Sequence, residues 1–159
     1  MIIGDSSALV ALAVVNQLEL LEKLYDKLYV PQAVFDEVTQ IGKPQSDKLR
    51  QFLQSRVKRV DLTLTQLGLG LGELEAITLY KKLDADVLLI DDNRAKKYAS
   101  LNGVKVIGSL GVLIKAKEKG HIEMVKPFLD EIQKSEVYIS KKLIEKVLEI
   151  CNENSNLEL

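Results

Sequence analysis

The sequence predicts an α/β domain of three layers, in which helices cover both faces of a central, mainly parallel sheet of four to five strands. Three observations carry that expectation. Short apolar runs alternate with helical segments through short connections, the pattern of parallel strands linked by crossover helices. Hydrophobic residues make up 47% of the 159, enough for one core covering both faces of a sheet. Two apolar runs, Met1-Ile2-Ile3-Gly4 and Val87-Leu88-Leu89-Ile90, end directly in acids, Asp5 and Asp91-Asp92. Ligands of such sheets bind beyond the carboxyl ends of the strands.

Each element has a local reason. Ile2-Ile3 reads as a buried strand, and Asp5-Ser6-Ser7 as the start of a helix from about Ser7 to Val14, because Asp and Ser accept hydrogen bonds from the free N–H groups of a first turn. Leu18, Leu20, Leu21, Leu24 and Leu28 recur at helical spacing up to a second strand at Tyr29-Val30, stopped by Pro31. Pro31 suits the first turn of a further helix that carries Val34, Phe35, Val38 and Ile41 on one face and ends at Gly42. A polar helix over 46–55 follows, and alternation over 57–62 suggests a strand. Leu67-Gly68-Leu69-Gly70-Leu71-Gly72 is a loop by composition, with a helix starting at Glu73. A strand over 85–90, a helix over 93–101 closed by Gly103, a strand over 104–107 and a helix over 109–119 closed by Gly120 come next. Two more helices, 122–134 and 140–151, complete the chain. The expected organisation is a single domain over 1–152, with its core over 1–120 and its C-terminal helices over 122–152, and a frayed tail over 153–159.

Composition excludes some classes. The 22 basic residues balance 23 acidic ones, so no overall positive field advertises nucleic-acid binding, although local patches remain open. No apolar run reaches the roughly 18 residues of a membrane span. Cys151 is the single cysteine, and the N-terminus lacks a basic segment followed by a cleavable apolar one. The expectation is a cytoplasmic protein without a membrane partner.

Acids at four places supply the chemistry: Asp5 after the first strand, Glu37 in the helix after Pro31, Glu73 and Glu75 after the glycines, and Asp91-Asp92 after the buried strand. A hard divalent ion needs a few converging oxygen ligands rather than one continuous motif. Acids held together without a cation repel one another and acquire raised pKa values. Each also has an ordinary reading: Asp5, Asp91 and Asp92 as helix caps, Glu37 as a solvated residue, Glu73 and Glu75 as favourable partners of a helix dipole worth about 0.3–1 kcal/mol.

Read together, these segments resemble the PIN-domain nucleases, the fold of many prokaryotic toxin ribonucleases. Ile2-Ile3-Gly4-Asp5-Ser6-Ser7-Ala8-Leu9 is similar to the family's first motif, an apolar strand, an Asp and a small hydroxyl residue. Val30-Pro31-Gln32-Ala33-Val34-Phe35-Asp36-Glu37-Val38 resembles the second, and Gly72-Glu73-Leu74-Glu75-Ala76-Ile77-Thr78-Leu79 the acidic helix start of a small, poorly characterised prokaryotic PIN-like subfamily. Leu88-Leu89-Ile90-Asp91-Asp92-Asn93-Arg94-Ala95 looks like the last acidic motif, and 104–113 like the strand, glycine and hydroxyl turn after it. The resemblance spans 1–120. Two departures stand out. Ile90 occupies the place where the family's motif usually has Thr, and either Glu73 or Glu75 matches the third acid, Glu73 following Gly72 directly.

The resemblance implies a metal-dependent endoribonuclease, in which Mg²⁺ or Mn²⁺ is held by Asp5, Glu37, Glu73 and Asp92, with Asp91 as a further candidate ligand. Ser6, Ser7, Asn93 and Glu75 would support those acids, and Arg94, Lys96 and Lys97 would contact RNA phosphates. It further implies the toxin of a toxin–antitoxin pair, a small antitoxin protein as partner, and a homodimer. Alternatives are a catalytically weak PIN-like module that binds RNA or a partner protein, a receiver-like domain with Asp5 as phosphoacceptor, and a phosphate loop at Gly68, Gly70 and Gly72. The last lacks both the full dinucleotide fingerprint and a following Lys-Ser or Lys-Thr pair.

Overall fold

Strand β1 (Ile2–Gly4) has no polar side chain and is fully buried, which places it in the middle of the sheet. The computed structural model describes residues 1–62 and 68–154. In chain order the elements are β1, α1 (Ser6–Val14), α2 (Leu20–Tyr25), β2 (Leu28–Pro31), α3 (Gln32–Val38), α4 (Ser46–Leu53), β3 (Val57–Lys58), α5 (Leu71–Leu83), β4 (Val87–Leu89), α6 (Asn93–Leu101), β5 (Val106–Ile107), α7 (Ser109–Glu118), α8 (Lys126–Lys134) and α9 (Lys141–Ile150). Among the described residues the sheet has five strands in the order β3-β2-β1-β4-β5, and every pair is parallel.

Alternation along each strand divides the core into two. Ile2 and Leu89 face a large cluster with residues of α1–α4 and α7–α9, whereas Ile3 and Leu88 face a smaller one with Ala76, Ile77 and Leu79 of α5 and Ala95 and Ala99 of α6. The result is the three-layer α/β arrangement, with both faces of the sheet covered. From β1 the chain winds outward to β2 and β3, then returns past β1 to β4 and β5. The carboxyl ends of β1 and β4 therefore flank the point where the winding reverses, the crevice in which ligands of open parallel sheets bind.

Several boundaries differ from the sequence reading for physical reasons. The leucine periodicity over 18–28 serves two elements: α2 is only six residues long, and Leu28 already belongs to β2. Pro31 ends β2 and sits at the N-cap of α3 instead of within its first turn. That helix stops at Val38, leaving Ile41 98% exposed outside the helix. Helix α5 begins at Leu71, so Leu71 and Gly72 are helical rather than loop; Leu67 and the rest of 63–67 lie outside the described residues. Strand β3 ends at Lys58.

The C-terminal helices join the main core through Leu129, Ile132, Ile144 and Val147. A frayed tail from 153 does not hold at its first residue. Glu153 accepts hydrogen bonds from the Val125 and Lys126 amides, 2.9 Å each at their shortest, and pairs with Lys117 at 2.8 Å. Its side chain is 4% exposed. The clasp satisfies free N–H groups at the start of α8, where the cap residue Val125 has no side chain able to do so. Residues 155–159 of the expected tail lie outside the described residues.

Candidate active site

Asp5 leaves the end of β1 with its amide bonded to the Leu89 carbonyl of β4 at 2.9 Å, so the reversal point fixes its backbone. By position it is the N-cap of α1, yet its side chain caps nothing. It is 3% exposed, and its Oδ1 is the buried side-chain oxygen or nitrogen left without a hydrogen-bond partner among the described residues. Burial, opposed by the Ser6 amide and reinforced by the negative charges of Glu73, Glu37 and Asp92, pushes its carboxyl from the ordinary 3.8 up to about 7. The ordinary reading of Asp5 as a cap therefore leaves its carboxyl unexplained.

Asp5, Glu37, Glu73 and Asp92 line one cavity of about 520 Å³, with Ser6 and Ser7 on its wall. Ser6 Oγ donates to Glu37 Oε2 at 2.8 Å. Glu73 Oε1 accepts from the Gly70 amide at 2.9 Å, closing the first turn of α5. Burial, partly offset by that amide, raises the Glu73 pKa, as do the facing carboxylates of Asp92 and Glu37. Asp92 caps α6 through Oδ2, which accepts from the Ala95 amide at 2.9 Å. Capping and a place on the cavity wall are thus compatible for Glu73 and Asp92.

Close packing of α5 on α3 is possible because residue 72 is glycine. A Cβ there would lie 3.2 Å from Glu37 Oε2 and 3.3 Å from Val34 Cγ2. That approach brings the acids of two helices to the same cavity.

The ambiguous pairs separate. Glu75 does not line the cavity and accepts from the Ala33 amide at 3.0 Å, supplying the start of α3 with the cap that Pro31 lacks. Asp91 binds Ser109 twice, its Oδ1 accepting from the amide and Oδ2 from the hydroxyl, both at 2.7 Å. This ties β4 to the start of α7 and corrects the inclusion of Asp91 among the cavity's acids: both of its oxygens are engaged elsewhere. Asn93, at the start of α6, is exposed and not on the cavity wall.

None of the basic candidates lines the cavity. Arg94 reaches back to the Gly68 carbonyl at 3.4 Å, Lys96 stands beside Gly108, and Lys97 is exposed; all three follow Asp92 along α6. Asp36, Gln40 and Leu71 do line it, and the sequence reading missed them. Their nearness to Glu37 and Glu73 in the chain was the available signal. Ile90, at the position of the missing Thr, is fully buried with Ile3 and Ala95.

Oxygen donors alone surround the cavity's acidic centre, the donor set of a hard divalent cation. Among the described residues no three acidic, histidine or cysteine side chains already stand close enough together to hold an ion. An ion that keeps several waters requires only one or two direct carboxylates, and the partnerless Asp5 Oδ1 fits that role.

Comparison with known proteins agrees with the architecture. A family model described as "DUF3368: PIN domain" matches residues 1–153. A PilT N-terminus domain protein from the hyperthermophilic archaeon Sulfolobus solfataricus is similar in structure, with a TM-score of 0.56 and 20% identity over 73% of this chain and 93% of that one. At that identity the likeness concerns the fold. No curated protein matches the chain. PIN domains are typically nucleases and usually use divalent metal ions. Family model, parallel five-stranded sheet and strand-end acids agree: the chain belongs to the PIN-domain family.

Proposed function

We propose that the protein is a metal-dependent endoribonuclease that hydrolyses RNA phosphodiester bonds at the crevice between β1 and β4. The observation that carries this reading is the buried carboxyl of Asp5, its Oδ1 without a partner, on the wall of a cavity that Glu37, Glu73 and Asp92 also line. Burying a carboxylate oxygen without a partner is costly, and a cation offsets that cost.

Asp5, Glu37, Glu73 and Asp92 would hold Mg²⁺ or Mn²⁺, which when bound supplies charge neutralisation at the phosphate and acidifies an attacking water. Asp5 is the fixed anchor, because its backbone is locked to β4. Ser6 orients Glu37, and Gly72 allows α5 to approach it. Glu75 holds the start of α3, whose Ala33, Asp36 and Glu37 line the cavity, whereas Asp91 ties β4 to α7, outside it. Arg94, Lys96 and Lys97 lie beyond the acidic centre on α6, suited to phosphates farther along the strand.

Membership of the PIN family supports the finer reading of a prokaryotic, cytoplasmic toxin that pairs with itself and is inhibited by a small antitoxin protein. No helix among the described residues is long and apolar enough to cross a membrane. Ile90 favours a second reading, a catalytically weak module that binds RNA or a partner protein, since no hydroxyl stands at that position.

Crystals soaked in Mn²⁺ test the site. Anomalous density within coordination distance of Asp5 supports it. Density only at other carboxylates contradicts it.

A further inference from the structure

Building on the nuclease reading, we propose that Leu71 and Gln40 form a nucleobase subsite in the wall of the acidic cavity, taking the unpaired base that adjoins the scissile phosphodiester. Leu71 is the first residue of α5 and 59% exposed, whereas Ala76, Ile77 and Leu79 of the same helix are buried. A single exposed leucine on a surface is ordinary. This one shares a cavity with Asp5, whose Oδ1 is buried without a partner, and no aromatic side chain lines that cavity among the described residues. Leu71 is the large apolar surface available there for the face of a base.

Gln40 stands on the α3 side of the cavity, just beyond the end of the helix. Its backbone is fixed from both directions. Its carbonyl accepts from the Lys43 amide at 3.2 Å, and the preceding Thr39 is held by its amide to Phe35 and by Arg50 to its carbonyl. Its carboxamide has no hydrogen bond to a described residue and is exposed. A held backbone thus presents a free donor and a free acceptor beside an apolar surface, the combination that recognises an unstacked base by its face and its edge.

Asp36 adds a direction to the recognition. Gln32 Nε2 donates to its Oδ1 at 2.8 Å and leaves Oδ2 to accept from a ligand. An acceptor there favours bases with an exocyclic amino group, adenine, cytosine and guanine, over uracil. A cavity of about 520 Å³ lies within the range of small-ligand sites.

The test uses fluorescein-labelled single-stranded RNA octamers that differ at one central base, with the parent, Leu71→Ala, Gln40→Ala and Asp36→Asn, and with Leu101→Ala as a control at an exposed leucine at the C-terminal end of α6. Cleavage is measured in Mn²⁺, and binding by anisotropy in an Asp5→Asn background. Expected are a five- to tenfold higher KM and weaker binding for Leu71→Ala and for Gln40→Ala, loss of discrimination against uracil for Asp36→Asn, whose amide would offer a donor where Oδ2 accepts, and parental behaviour for Leu101→Ala. Parental KM and binding in both Leu71→Ala and Gln40→Ala would overturn the proposal, as would parental base preference in Asp36→Asn, equal weakening by Leu101→Ala or no binding by the parent. If the parent binds but does not cleave, the nuclease reading fails while the anisotropy arm still decides the subsite.

Discussion

Ser6 Oγ donates a 2.8 Å hydrogen bond to Glu37 Oε2, joining the helix that follows the central strand to a helix 31 residues farther along the chain. The bond is solvent-exposed, so its direct contribution to stability is small, about 0.5–1.5 kcal/mol. Orientation of a carboxylate matters more to an ion site than to the fold. Ser6→Ala should lower cleavage 10- to 100-fold while thermal unfolding shifts by only a few degrees. A fall in melting temperature matching the loss of activity would assign Ser6 a structural role instead.

Gly72→Ala separates close approach from helix propensity. Alanine favours a helix by about 1 kcal/mol over glycine, yet the added Cβ lies 3.2 Å from Glu37 Oε2. The expected outcome is a loss of activity of tenfold or more with stability within about 1 kcal/mol of the parent, measured by steady-state kinetics and urea unfolding. Unchanged activity would show that Glu37 accommodates the methyl group without leaving its place.

The raised carboxyl of Asp5 fixes a pH dependence. Its folded pKa of about 7 lies above the ordinary 3.8, so between those values the folded chain binds more protons than the unfolded one. Its contribution to stability is present below pH 4 and lost as pH rises towards 7. Asp5→Asn, which cannot ionise, should stabilise the protein in EDTA at pH 8 by roughly 2 kcal/mol or more and have little effect at pH 4. Thermal melts at the two pH values decide it. An equal effect at both would place the Asp5 pKa near normal.

Asp91 and Asp92 are adjacent but should respond differently. Asp91→Ala removes both bonds to Ser109, leaving the start of α7 without its acceptor, and should cost about 1–3 kcal/mol while the folded fraction keeps cleaving. Asp92→Asn keeps an oxygen for the Ala95 amide and should abolish cleavage with little loss of stability. The reverse pattern would exchange their roles.

Glu153 should matter to stability alone. Although burial opposes ionisation, Lys117 and the Val125 and Lys126 amides hold its carboxyl below the ordinary 4.5. Its contribution is therefore present above about pH 4.5 and lost as pH falls through the lowered value. Glu153→Gln should lower the melting temperature at pH 7 and have less effect at pH 3.

The layers of the fold and the strand-end acids were legible in the sequence because both follow from local pattern: apolar runs, short connections and an Asp after each of two strands. Within the pairs, the division of labour was not. Whether Glu73 or Glu75 faces the cavity depends on the helix turning about 100° per residue and on α3 packing beside it, which only the assembled α3–α5 contact defines. Asp91 likewise finds Ser109 through the β4–β5 pairing, 18 residues away. Glu153 was misread because a polar end looks frayed until the unpaired amides of α8, 27 and 28 residues earlier, are known. Leu71 and Gln40 carried no signal beyond their nearness to Glu73 and Glu37 in the chain, since exposed leucines and glutamines are common.

Metal-dependent RNA cleavage by the parent and by Asp5→Asn is the most direct measurement of the central claim. Incubation with single-stranded RNA in Mn²⁺ should give cleavage by the parent that EDTA abolishes, and none by Asp5→Asn despite a folded protein. Equal cleavage by both, or cleavage that persists in EDTA, would contradict it.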